Sequence, residues 1–107
     1  MYGNPQRRTA PDVQDLRRDG GRWLKEQRER AGLSQRQLAD RVGAEYYTFI
    51  SQLETGRGRI PPDRYADWAK ALNLAPRDFV RDVLRFYDPI TYAILFSEPN
   101  EAPGTGG

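Results

Sequence analysis

Apolar residues recur along this chain at helical spacing, in short runs broken by turn residues, and show no strand-like alternation. The pattern predicts an all-α domain. From Pro11 and Asp12 to Gly32 the apolar positions are Val13, Leu16, Trp23, Leu24 and Ala31. Gly20-Gly21 is a weak point within them, so the segment is either one long helix or a short helix followed by a second. Ser34 is a good N-cap for Gln35 to Val42, where Leu38, Ala39 and Val42 share a face and Gly43 is the stop. A further helix, from about Tyr46 to Glu54, turns Phe49, Ile50 and Leu53 inward and ends at Gly56. Pro61-Pro62-Asp63 opens the next, which runs to about Leu72 with Tyr65, Trp68, Ala69 and Leu72 on its apolar face. Ala75-Pro76 opens a fifth with proline in its first turn, and Phe79, Val80, Val83, Leu84, Phe86 and Tyr87 make its apolar face wide. Asp88-Pro89 restarts the chain, and Ile90 to Phe96 is apolar almost all round. Such a segment needs a cover.

The two ends read differently. Residues 1–11 and 97–107 are polar and rich in proline and glycine, with too little apolar surface to offset the entropy of ordering them. They are expected to be disordered tails around a domain spanning 12–87 and a C-terminal helix spanning 88–96. The 107 residues suffice for one such domain with a modest core.

Composition removes most chemistry. With no cysteine and no histidine, disulfides, thiolate zinc sites, cysteine nucleophiles and histidine-based acid–base or metal chemistry are all unavailable. The carboxylates lie on charged helix faces without a pocket or metal site, so no catalytic residue, metal or cofactor is expected. No N-terminal apolar run resembles a signal peptide, and no stretch approaches the ~18 apolar residues of a membrane span. The expectation is a cytoplasmic protein with no membrane association. Its net charge of +2 is unevenly spread: residues 1–59 carry 12 basic and 8 acidic side chains, residues 60–107 carry 5 and 7. The basic end is where a polyanion would bind. Of the 17 basic residues 15 are arginine, which suits phosphate and guanine recognition but also follows from a GC-rich genome.

Two short helices joined by a tight turn form a helix-turn-helix, whose second helix lies in the DNA major groove. Three separated motifs, LSQRQLA (33–39), SQLETG (51–56) and DWAKALNL (67–74), resemble the Cro/C1-type (XRE) helix-turn-helix family in order and nearly in spacing. The resemblance covers about residues 22–84 and implies a five-helix, lambda-repressor-like domain to which a C-terminal apolar helix has been added. It also implies roles. Gln35 matches a glutamine that contacts a DNA phosphate at the start of the second helix. Arg28 and Glu54 match a structural salt bridge, and Arg57 and Arg59 match basic loop positions that grip phosphates. Tyr47, Thr48, Ser51 and Gln52 fall on base-facing positions, with Gln52 suited to adenine and the Thr48 methyl to a thymine methyl. Tyr46 either packs on the turn as a hydrophobic staple or reaches the phosphate backbone. Arg36, beside Gln35, is a further phosphate candidate, and Arg22 and Arg41 would widen the basic surface. The family usually has eleven residues between the glycine ending the second helix and the glycine after the third; twelve separate Gly43 from Gly56 here. The extra residue belongs in the turn 44–46, and Glu45 there argues against that turn lying flat on the DNA backbone.

The C-terminal apolar segment lies beyond the family's minimal domain. It either covers its own core or pairs two chains, and pairing through Phe86, Tyr87, Ile90, Tyr92, Ile94, Leu95 and Phe96 suits operator binding by dimers. The resulting expectation is a sequence-specific double-stranded DNA-binding transcriptional regulator of bacterial or phage type, a repressor acting as a homodimer. The alternative is an antitoxin or adaptor that uses the same scaffold and offers its C-terminal apolar segment to a different protein.

Overall fold

The computed structural model describes residues 13–97; the tails expected at 1–11 and 97–107 lie outside it except for Ser97. Six α-helices and one 3-10 turn account for its regular structure: α1 Val13–Arg30, α2 Gln35–Val42, α3 Thr48–Glu54, the 3-10 turn Pro62–Arg64, α4 Tyr65–Ala71, α5 Pro76–Tyr87 and α6 Pro89–Phe96. Among the described residues there is no strand, and the fold is all-α.

Between the two readings of the first segment the structure takes the single helix. α1 runs unbroken for 18 residues through Gly20 and Gly21, both buried. Their helix-weakening backbone is the condition for close packing. A Cβ on Gly21 would lie 2.6 Å from the Glu54 carbonyl carbon, and one on Gly20 would lie 2.9 Å from Phe86 Cβ. α1 thus meets the backbone of α3 and the end of α5 at distances that only glycine permits.

The first three helices stop in the same way. Gly32, Gly43 and Gly56 have φ of 76°, 72° and 84°, and each follows its helix as the left-handed residue of a Schellman motif. The closing bonds are Leu33 N–H to the Arg28 carbonyl at 3.1 Å, Ala44 N–H to the Ala39 carbonyl at 2.9 Å and Arg57 N–H to the Gln52 carbonyl at 2.8 Å. Asn73 (φ 61°) does the same after α4, with Leu74 N–H donating to the Ala69 carbonyl at 2.8 Å. α2 begins in a capping box, Gln37 N–H donating to Ser34 Oγ at 3.0 Å and Ser34 N–H to Gln37 Oε1 at 2.8 Å. The helix expected from Pro61-Pro62-Asp63 opens instead with the 3-10 turn, Pro61 being extended (φ −65°, ψ 141°) and Arg64 N–H bonding to its carbonyl at 2.9 Å.

The core lies where the helices converge. Leu38, Ile50, Ile60, Trp68, Phe79 and Val83 are its largest fully buried side chains, joined by Leu24, Val42, Leu53 and Leu72. Trp23 packs its ring 5.7 Å from that of Phe79 and 5.9 Å from that of Phe86, closing α1 over α5. Of the expected inward residues, Phe49, Tyr65 and Val80 are only partly buried, and Val13 is exposed. α6 starts at Asp88, whose carboxylate accepts from Thr91 N–H at 3.1 Å and from Thr91 Oγ1 at 2.7 Å. It packs on α5, yet none of its residues is buried.

Candidate nucleic-acid interface

Seven residues are too few to hold a helix in water, so α3 owes its place to what it packs on. Ile50 and Leu53 enter the core from one face. At its C-terminal end Glu54 is turned inward, and its carboxylate meets Arg28 of α1 in a paired geometry: Nε to Oε2 at 2.6 Å and Nη2 to Oε1 at 3.1 Å. Arg28 Nη1 also donates to the Leu33 carbonyl at 2.9 Å. The side chains of Arg28 and Glu54 are 10% and 4% exposed. Hydrogen bonding to Glu54 raises the Arg28 pKa against the opposing effect of burial, so its charge is permanent.

Gln35 joins this network. Its Nε2 donates to Glu54 Oε1 at 3.0 Å, which ties the first residue of α2 to the last of α3. One amide hydrogen is thereby committed, and the half-buried side chain sits at the edge of the network with the other. Arg28, Glu54 and Gln35 thus form one unit at the junction of α1, α2 and α3.

On the outward side of α3, Thr48 and Gln52 are exposed and Ser51 is half-buried. Tyr47 is 41% exposed, and the Arg36 guanidinium lies 4.5 Å from its ring centroid. The stack spans from α2 to the residue before α3, joining a residue expected at phosphate to one expected at bases. Tyr46 is 66% exposed and borders an apolar cavity of about 300 Å³ with Val42, Phe49, Pro61 and Trp68. A hydrophobic staple would pair it with position 51, but a serine stands there, and it flanks Phe49 instead. The five residues 43–47 link the helices, and the Tyr46 and Tyr47 carbonyls accept from Phe49 and Ile50 N–H at 3.1 and 2.9 Å.

Beyond α3 the loop to α4 presses on α1. A Cβ on Gly56 would come within 2.9 Å of Arg18 N, and Ile60 is buried in the core. Arg57 and Arg59 both project from this loop and are exposed, Arg59 with its guanidinium 5.0 Å from the Tyr87 ring centroid. Of the other arginines, Arg22 is paired with Asp19 on α1, and Arg41 borders a cleft with Asp67 and Lys70.

Two contributors were not legible as site residues. Arg64 donates through Nη2 to the Val42 carbonyl and so holds the end of α2, at the start of the turn, to the base of α4. Arg17 brings a further guanidinium to 5.9 Å from the Tyr87 ring. Neither arginine sits in a motif, and only the folded chain brings them there. The residues expected to pair two chains divide: Phe86 and Tyr87 engage their rings within the chain, against Trp23 and Arg59, whereas Ile90, Ile94, Leu95 and Phe96 are exposed and Tyr92 lies 5.4 Å from the Phe96 ring.

Among the described residues no three acidic side chains cluster in a way that would hold a metal ion, and no helix is long and apolar enough to cross a membrane. No curated protein matches the chain. A family described as helix-turn-helix matches residues 24–79, from the middle of α1 into α5. That span contains Arg28, Gln35, Glu54 and the whole of α3, and the chain belongs to the Cro/C1-type (XRE) helix-turn-helix family of DNA-binding regulators.

Proposed function

We propose that the protein is a sequence-specific repressor that binds an operator in double-stranded DNA as a homodimer within the cytoplasm. The observation that carries this reading is the construction of α3. The Arg28–Glu54–Gln35 unit and the core residues Ile50 and Leu53 fix its inner side, leaving Thr48, Ser51, Gln52 and Tyr47 toward solvent. Gln35 and Arg36 flank it at the start of α2, and Arg57 and Arg59 follow it. In the major groove Gln52 would pair with adenine or phosphate, Thr48 and Ser51 would meet base edges, and Tyr46 and Tyr47 would lie against sugar, phosphate and base edges. Arg57, Arg59, Arg36 and Gln35 would hold the backbone.

Dimerisation is assigned to α6. Ile90 and Ile94 are 75% and 77% exposed, and with Leu95 and Phe96 they form an apolar surface on the last described helix. A two-fold pairing there would present two α3 helices to half-sites one helical turn apart.

Selection of bound sequences from random duplex DNA at two salt concentrations tests the reading. An enriched two-fold motif is expected, with Gln35→Ala or Arg57→Ala weakening all sequences and Thr48→Ala or Gln52→Ala changing which are preferred. Absence of any enriched motif would discard it in favour of an antitoxin or adaptor with a protein partner on α6.

A further inference from the structure

Tyr87, the last residue of α5, is held by the chain's own DNA-side loop. Ile60 N–H donates to its Oη at 3.2 Å, and the guanidinium of the neighbouring Arg59 stands 5.0 Å from its ring centroid. Arg17 of α1 approaches the same ring at 5.9 Å. Burial pushes the phenol pKa up, so the hydroxyl stays neutral near pH 7 and accepts the Ile60 hydrogen. One aromatic side chain thus touches two consecutive residues of the loop after α3, one through its hydroxyl and one through its ring.

That loop needs such a hold. Between the Schellman bond at Arg57 and the 3-10 turn it has no helical ladder, and Arg59 is an exposed side chain with many rotamers. A free arginine loses this rotamer freedom when it grips a phosphate; one already resting on an ordered ring has lost much of it beforehand. A guanidinium over one ring still has N–H groups left to donate.

We propose that Tyr87 is a positioning residue for DNA-backbone binding: its ring pre-orders the Arg59 guanidinium and its hydroxyl fixes the Arg59–Ile60 peptide, so that Arg59 is presented to a phosphate. The inference rests on the reading of Arg59 as a phosphate contact. It moves Tyr87 from the surface between chains to the recognition apparatus of each one.

Equilibrium binding of the full chain to its selected duplex, over a series of salt concentrations, provides the test. The variants are Arg59→Ala, Tyr87→Phe, Tyr87→Leu and the double Tyr87→Leu/Arg59→Ala. Arg59→Ala should flatten the log–log salt dependence by about 0.9, one phosphate contact. Tyr87→Leu should flatten it by nearly as much and lose about five- to tenfold in affinity at moderate salt, while Tyr87→Phe keeps most of the slope. The double variant should be no weaker than Arg59→Ala. A purely structural role would lower the active fraction without moving the slope, so an unchanged slope in Tyr87→Leu, or additive losses in the double variant, overturns the proposal and leaves DNA binding standing. A wild-type chain whose affinity for duplex DNA ignores salt overturns the proposed function and this inference with it. Should Tyr87→Leu not fold, the ring-current shift of the Arg59 side-chain protons in the free wild-type chain decides: present supports the stack, absent overturns it.

Discussion

Replacing Arg28 by methionine keeps the aliphatic stem and removes the guanidinium. Glu54, with 4% of its side chain exposed, then retains only the Gln35 amide as a partner, and the Leu33 carbonyl loses the donor at 2.9 Å. Truncating one partner of a buried ion pair costs about 3–5 kcal/mol because the remaining charge is buried and uncompensated. Domains of this size have about 4–13 kcal/mol in total, on the order of 0.05–0.15 per residue. Arg28→Met should therefore remove a large part of the stability, read as a lower midpoint with an unchanged m-value in urea unfolding followed by circular dichroism. Arg28→Met/Glu54→Leu should recover most of the loss, since a buried pair replaced by apolar side chains is close to neutral. It should not recover DNA affinity, because Gln35 has lost the carboxylate that fixes it. A cost below about 1 kcal/mol for Arg28→Met, the value of an exposed pair, or a double variant as unstable as the summed single losses, would refute the reasoning.

Gly21→Ala should destabilise by roughly 1–3 kcal/mol even though alanine favours a helix interior by about 1 kcal/mol, because the new Cβ meets the backbone of α3. Gly20→Ala should cost less, since it meets the Phe86 side chain; thermal unfolding of both variants checks the order. Ile94→Asp should leave a folded monomer by sedimentation if α6 pairs the chains, and an unfolded product would instead put α6 in the core of each chain. The Asp88 carboxyl is held below its usual pKa by the Thr91 hydroxyl and N–H. With the folded pKa depressed, its contribution is present above the unfolded value and is lost as pH falls through the folded one, so α6 should fray below about pH 4. The Thr91 amide resonance against pH reports this, and a loss of the cap at pH 6 would contradict it.

What was legible in the sequence follows from what is local. Glycine after an apolar run marks the left-handed residue of a helix end because only the backbone of that residue decides the matter, and Gly32, Gly43 and Gly56 all behave so. Gly20-Gly21 left two readings open because propensity counts only the local cost of glycine, whereas α1 runs through them to let α3 approach. The Arg28–Glu54 pair was accessible through family resemblance and not through spacing, since the two stand on different helices. Resemblance had nothing to offer for the stacks of Arg36 on Tyr47 and of Arg59 on Tyr87, which obey no periodicity. For Tyr87 the apolar face of α5 suggested an outer surface; the loop that returns to it lies 27 residues earlier and is visible only after folding.

These contacts divide the recognition surface by how it is held. α3 is fixed at its C-terminal end by the Glu54 network and by the close approach of Gly21, and along its inner side by Ile50 and Leu53. Its N-terminal end is different: Tyr47 makes no side-chain cap, and the segment 44–47 is held by the Ala44 N–H bond to the Ala39 carbonyl, by the Arg36 stack and by Arg64 on the Val42 carbonyl. Holding at that end comes from turn hydrogen bonds and exposed side chains, at the C-terminal end from buried charge and close backbone approach. A length change between Gly43 and Gly56 is therefore best absorbed in the turn, where it shifts two tyrosines and leaves the core face of α3 in register. An extra residue in that turn would thus alter the leading edge of α3, where Tyr47 and Thr48 are exposed, without disturbing the helix's seat in the domain.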